Sequence, residues 1–235
     1  MQISTKETKS HPVAQLACRI VQLVLTTPAL FLPLVDIIAN IRGCSRDLGK
    51  RIEGLLARSV EEYPKEAQQL KVLLVRYFTT PYKKWDVDRR RGYVLEEIVS
   101  SLKPEALGFA FESGVKRYRE GRFCDDSGQP LCGDSDLDVI FTDGKRFEGI
   151  ECKVKLSNWL SCERGLRSDA ITKLTYIKCL MEAFVQHCQS LGVHFATLDD
   201  TFPYQDLGAY GYPYIQVLNT NFLDDAIKRN KAFSA

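Results

Sequence analysis

Residues 133–155 read GDSDLDVIFTDGKRFEGIECKVK, and this stretch decides the fold. Asp143-Gly144 stands between two apolar runs. A two-residue Asp-Gly loop favours a type I′ turn and a tight antiparallel hairpin. Such a turn pairs Thr142 with Lys145, which sets Asp138 opposite Gly149 and Asp136 opposite Glu151. Directly paired residues share a face, and side chains alternate along a strand. Asp136, Asp138, Gly149, Glu151 and Lys153 then fall on one face. Val139, Phe141, Ile150, Cys152 and Val154 fall on the other. Carboxylates this close repel unless something positive sits among them. Hard oxygen donors select Mg²⁺ or Mn²⁺, and Gly149 leaves room for an ion. Lys153 can polarise a water or offset charge on a phosphate oxygen. The competing reading is a solvated strand face with an ordinary cross-strand ion pair.

Around this hairpin the pattern is mixed. Strands are expected over 107–118, 137–142, 145–154, 193–198 and 214–218, a long helix over 168–189, and a final helix over 221–231. The order points to an α/β or α+β core with a mixed sheet. In the N-terminal third, Val13, Leu16, Ala17, Ile20, Val21 and Val24 recur at helical spacing. Thr26-Thr27-Pro28 ends that helix and starts another, with Thr27 as a cap. Further helices are expected over 46–59 and 64–78. The expected organisation is a helical bundle domain, 1–82, followed by a second domain, 83–235. Residues 83–91 read as a basic linker before a helix carrying Leu95, Ile98, Val99 and Leu102 on one face.

The Asp138 strand followed by Glu151-Cys152-Lys153 resembles the PD-(D/E)XK phosphodiesterase superfamily, which includes restriction endonucleases and Holliday-junction resolvases. The likeness spans Arg89 to Leu218, with a similar order of helix, three-stranded meander, helix and strand. It implies a restriction-endonuclease-like mixed sheet flanked by helices. It also implies Mg²⁺- or Mn²⁺-dependent hydrolysis of DNA phosphodiesters, in repair, recombination or defence. Asp138, Glu151 and the Cys152 carbonyl would hold the metal, and Lys153 would serve catalysis. Gly92-Tyr93-Val94-Leu95-Glu96 is similar to the family's Gly-x-x-apolar-Glu helix, which maps Glu96 as a further catalytic or metal residue, with Glu97 pointing more toward solvent. The sequence departs from the family in having Leu137 before Asp138. Thr172 stands where the RecB-like members carry glutamine four residues before a tyrosine, here Tyr176. The hairpin register does not separate Asp136 from Asp138; family spacing favours Asp138.

The 235 residues carry 32 Lys+Arg against 30 Asp+Glu, so net charge indicates no nucleic-acid partner. Contact with DNA is expected instead from local clusters around the hairpin: Arg89, Arg90 and Arg91; Lys116, Arg117, Arg119 and Arg122; Lys155, with Arg164 and Arg167 beyond. The alternative is a non-cleaving nucleic-acid-binding or assembly module, with the apolar helices or the nuclease-like core as a homodimer surface. Pro12 to Ile41 is apolar, but Arg19, Gln22, Pro28, Pro33 and Asp36 interrupt it, so no membrane span is expected. The eight cysteines include no C-x2-C pair, and no secretory signal precedes them. Reduced thiols in a cytoplasmic protein are expected. No P-loop is present.

Overall fold

The apolar alternation that flanks Asp143-Gly144 becomes the middle of a six-stranded mixed sheet. The computed structural model of the chain describes residues 2–5, 11–43, 47–83, 85–112, 114–162, 165–186, 190–200, 206–209 and 211–233. In chain order its elements are β1 (Gln2–Thr5), α1 (Pro12–Thr26), a 3-10 turn (Pro28–Leu30), α2 (Phe31–Asn40), α3 (Leu48–Leu55), α4 (Ala57–Glu62), α5 (Pro64–Thr79), α6 (Val87–Ser101) and a second 3-10 turn (Pro104–Leu107). Then follow β2 (Lys116–Cys124), β3 (Leu137–Thr142), β4 (Arg146–Lys153), α7 (Leu156–Leu160), β5 (Ser161–Cys162), β6 (Gly165–Leu166), α8 (Ser168–Gln186), β7 (Ser190–Thr197), α9 (Asp206–Ala209), β8 (Gln216–Leu218) and α10 (Thr220–Ala232). Among the described residues no helix is long and apolar enough to cross a membrane.

The chain divides into two compact units, one of residues 1–8 and 108–219, the other of residues 9–107 and 220–235. This division differs from the expected segments 1–82 and 83–235. The α6 helix and the final helix α10 both group with the N-terminal helices.

In the sheet unit the strand order is β1-β2-β3-β4-β7-β8. The first four strands are antiparallel in succession, and β4, β7 and β8 are parallel. Parallel neighbours need a crossover, and α7, β5, β6 and α8 supply it between β4 and β7. Ala170, Leu174, Ile177, Leu180 and Phe184 of α8 pack with Ile140, Phe147, Val193 and Phe195 of the sheet. Phe123, Phe147 and Phe184 meet edge to face, with centroids 5.0–5.8 Å apart. Ile171 on α8 is exposed. The strand expected over 107–118 begins only at Lys116, because Gly108 and Gly114 take positive φ and break the run before it. The polar N-terminal residues 2–5 form β1, which pairs with β2 from Gln2↔Cys124 to Thr5↔Gly121.

The hairpin register differs from expectation by two residues. Thr142 pairs with Phe147, Ile140 with Gly149 and Val139 with Ile150. The cause is local. Asp143 Oδ1 accepts the backbone N–H groups of Lys145 and Arg146, each at 2.9 Å, and Gly144 takes φ +92°. This Asx-type turn lengthens the loop to residues 143–146. An even offset keeps the paired side chains on their expected faces. Leu137, two residues before Val139, departs from that alternation and lies over Gly149. A Cβ there would collide with the end of the Leu137 side chain. The room expected for an ion is filled by leucine.

The cysteine expectation is also corrected. Cys132, in the segment before β3, and Cys179, on α8, form a disulfide. Cys124 and Cys152 are buried thiols, and Cys18 is an exposed one.

In the helical unit, Pro12 starts α1 and His11 caps it, Nδ1 accepting the Ala14 N–H at 3.2 Å. Thr27 makes no side-chain capping bond. Instead Thr26 Oγ1 donates back to Leu23 O at 2.9 Å, and Pro28 stops the helix. The expected linker 83–91 mostly belongs to α6, because Asp86 caps that helix by accepting the Arg89 N–H at 2.8 Å. Lys84 lies outside the described residues.

Gly149→Ala should destabilise the sheet unit by about 1–3 kcal/mol, the usual cost of overpacking. Urea unfolding followed by Trp159 fluorescence in a Trp85→Phe background checks this. Unchanged stability would contradict the Leu137–Gly149 contact.

Candidate active site

The β3–β4 ladder ends at Val139↔Ile150. Just past it, Asp138 Oδ2 accepts the Cys152 N–H at 2.7 Å. A hydrogen bond from a peptide N–H favours the ionised carboxylate. Glu151, the neighbour of Cys152, is 1% exposed because β4 lies between β3 and β7. A carboxylate so buried is costly unless it is paired. It is paired twice. Lys153 Nζ donates to Glu151 Oε1 at 2.5 Å. Lys173 Nζ faces Oε2 at 2.9 Å, an ion pair without hydrogen-bond alignment. Burial works to lower the Lys153 pKa, but the charges of Glu151 and Asp138 outweigh it and raise the pKa above its ordinary value. The ammonium also lies 5.2 Å from the centroid of the Trp159 ring.

Lys173 was not anticipated as a site residue. It donates to the Asp136 carbonyl at 2.6 Å as well as facing Glu151. Its signal was its place on α8: it sits three residues after Ala170 and four before Ile177, both fully buried. A lysine on that stripe requires a buried partner. Tyr176, one turn on, is 5% exposed, and its hydroxyl finds no hydrogen-bond partner among the described residues. Burial, then the charges of Asp136 and Glu151, pushes that phenol well up.

Asp138, Glu151 and Lys153 thus come together at one end of β4. Asp138 meets the Cys152 N–H and its charge reaches Lys153. Asp136 offers its backbone carbonyl to Lys173 and its charge to Tyr176. The Cys152 side chain is buried. Glu96 lies in the helical unit and is 2% exposed, paired with Arg89 Nη1 at 3.1 Å. Glu97, expected nearer solvent, is also buried. Its Oε1 accepts from Ser101 Oγ at 3.5 Å.

The basic clusters divide between fold and surface. Arg90 is buried and donates to the carbonyls of Tyr77, Thr80 and Trp85. Arg91 donates to Ile38 O at 2.6 Å and Ala39 O at 3.3 Å. The Tyr77, Ile38 and Ala39 carbonyls belong to the last turns of α5 and α2, where the helix itself supplies no donor. These two arginines are committed to the helical unit. Arg89 pairs with Glu96 and lies 5.8 Å from the Trp85 ring centroid. On β2, Arg117 and Arg119 pair with Phe141 and Val139, whereas Lys116 and Tyr118 pair with Thr142 and Ile140. The β2 cations are therefore split between the two faces of the sheet. Arg122 pairs with Asp134 at 3.0 Å and Arg167 with Asp169 at 3.3 Å. Lys155 is half-buried just beyond β4. Arg164 and the expected helix end at 187–189 lie outside the described residues.

A second buried charge cluster went unanticipated. Glu148, 2% exposed, accepts from Arg146 Nε at 2.7 Å, and its other oxygen lies 2.7 Å from His194 Nε2. By alternation it projects from the face of β4 opposite Glu151. Burial raises the Glu148 pKa, but His194 and Arg146 overcome it and hold the carboxyl below its ordinary value. Gly192 makes room for it, since a Cβ there would collide with the carboxylate.

The donors at the end of β4 fit a hard cation by their chemistry. Mg²⁺ takes oxygen ligands, uses one or two carboxylates and keeps several waters. Asp138, Glu151 and the Cys152 carbonyl are such a set. Among the described residues no three His, Cys, Asp or Glu side chains converge as a fuller metal cage. In comparisons with known proteins, no family model matches the chain and no curated protein matches it.

Because Glu148 is held below its ordinary value of about 4.5, its charge stabilises the fold above about pH 4.5, and that contribution is lost as pH falls through the depressed pKa. Acid unfolding followed by near-ultraviolet circular dichroism should therefore show a weaker pH dependence for Glu148→Gln than for the wild type. An equal acid dependence would contradict the cluster's role.

Proposed function

We propose that this protein is a metal-dependent nuclease hydrolysing phosphodiester bonds of DNA, with a restriction-endonuclease-like sheet unit. The observation that carries the reading is the meeting of Asp138, buried Glu151 and Lys153 at one end of β4. The order of β2, β3, β4, α8 and parallel β7 supports it.

Asp138, Glu151 and the Cys152 carbonyl would hold Mg²⁺ or Mn²⁺. When bound, such an ion lowers the pKa of a water and stabilises charge on the phosphate. Lys153 orients the attacking water through its ammonium and neutralises the charge that grows on the phosphate oxygens. Its raised pKa keeps it protonated at neutral pH, so its role is electrostatic rather than that of a base. Lys173 holds Glu151 and the Asp136 peptide in place. DNA contact falls to the remaining exposed cations: Lys116 and Arg117 on β2 are exposed, and Arg119 and Lys155 are half-buried. Such contacts give salt-dependent, largely sequence-independent affinity. Arg90 and Arg91 are left out of that surface, since their guanidinium groups serve helix ends.

A second reading, a non-cleaving nucleic-acid-binding module, is favoured by one observation: two lysines already neutralise Glu151. Incubation with linear, circular, branched and single-stranded DNA in Mg²⁺ or Mn²⁺ separates the two. The nuclease reading expects cleavage that chelator abolishes. It also expects Lys153→Ala to lose at least ~100-fold in rate with DNA binding retained. Binding without cleavage of any of these DNAs would favour the second reading. Cleavage unaffected by Glu151→Gln and Lys153→Ala would contradict the site.

A further inference from the structure

We propose that the Cys132–Cys179 disulfide is a redox switch that sets how firmly the segment leading into Asp138 is held against α8; its effect on hydrolysis rests on the nuclease reading above.

The connectivity carries the proposal. The bond joins the segment before β3 to α8, across 47 residues of sequence. Lys173, on the same helix, donates to the Asp136 carbonyl at 2.6 Å and faces Glu151 at 2.9 Å. The stretch from Cys132 to Asp136 is therefore fastened to α8 at one covalent and one exchangeable point. It continues directly into Asp138, whose carboxylate holds the Cys152 N–H. Residues 133–136 form no regular strand, and Gly133 takes φ +87°. Without the covalent point, the Lys173–Asp136 contact and the Arg122–Asp134 ion pair remain as polar fastenings, the second with its carboxylate in water.

Access is also built in. Cys132 and Cys179 are each half-buried and line a cavity of about 750 Å³, together with Asp134, Ser135, Thr172 and Tyr176. By contrast, the thiols of Cys124 and Cys152 are buried. A small dithiol can reach the bond. One of its thiolates attacks a sulfur of the Cys132–Cys179 bond, forming a mixed disulfide and releasing the other cysteine, which takes up a proton. The reductant's second thiol loses its proton and attacks the reductant sulfur of the mixed disulfide; that bond breaks, and the remaining cysteine leaves and takes up a proton. One protein disulfide and one dithiol become two protein thiols and one reductant disulfide, with two electrons transferred.

The oxidised form holds Asp138 in place, and the reduced form loosens it. Amide hydrogen exchange tests this on the full chain, air-oxidised or reduced with dithiothreitol, with alkylation and peptide mass mapping to report the state of Cys132 and Cys179. On reduction, exchange over residues 132–138 and at the Cys152 amide should accelerate about tenfold, while the core amides of Ile140 and Phe195 keep their protection. The Cys132→Ser/Cys179→Ser variant should show the fast rates with or without dithiothreitol. Metal-dependent hydrolysis should fall together with the protection. Unchanged exchange once the bond is open would overturn the switch. So would equal acceleration of the whole sheet, which marks a plain staple, or an air-oxidised protein in which both cysteines alkylate freely. Hydrolysis absent in both states while residues 132–138 respond would overturn the nuclease reading and leave the switch standing.

Discussion

A carboxylate that is 1% exposed in the fourth strand of a six-stranded sheet must be neutralised, and much of the sheet unit follows from how Glu151 meets that demand. Lys153 comes from the same strand, two residues on. Lys173 comes from the crossover helix. Leaving such a charge unpaired would cost several kcal/mol, of order 3–5 for a buried pair that loses a partner. The Lys173 ion pair therefore fastens α8 to the end of β4 beside its apolar stripe. Lys173 reaches further still, to the Asp136 carbonyl, so the approach to β3 is tied to the same carboxylate. The result is a polar node at one end of an otherwise apolar layer of Leu174, Ile177, Phe195 and Ile140.

Two ammonium groups neutralise Glu151 in that node, and Lys153 also feels the charge of Asp138. An arriving cation would compete with them for the carboxylates, and an arriving phosphate would be drawn to them. The opposite face of β4 holds a different arrangement. There Glu148, Arg146 and His194 satisfy one another, and Gly192 supplies the space. The two acids are three residues apart on one strand, so alternation alone separates a cluster proposed to meet substrate from one that serves the fold.

Much of this was legible in the letters. The Asp-Gly signal located the β3–β4 hairpin, and period-two alternation put Asp138, Glu151 and Lys153 together. The register was two residues off, because the Asp143 side chain builds a longer turn than the dipeptide alone implies. The even offset spared the site; the space over Gly149 goes instead to Leu137, which breaks the alternation. Less was legible where distant groups decide the outcome. Arg90 and Arg91 read as a basic linker for DNA contact, yet they satisfy carbonyls at helix ends 13 and 53 residues back in the sequence. Lys173 lay hidden in a helix whose apolar stripe drew attention elsewhere. The Cys132–Cys179 bond could not be read from spacing, since only the packing of α8 brings those sulfurs together.

Asp138 and Glu151 are proposed to share a divalent cation beside Lys153. A crystal soaked in Mn²⁺ and measured at a wavelength where manganese scatters anomalously tests it directly. The expected result is an anomalous peak within ligand distance of an Asp138 oxygen and a Glu151 oxygen, with the Lys153–Glu151 pair lengthened from its 2.5 Å. No peak there at saturating Mn²⁺, with both lysines still closed on Glu151, would contradict it.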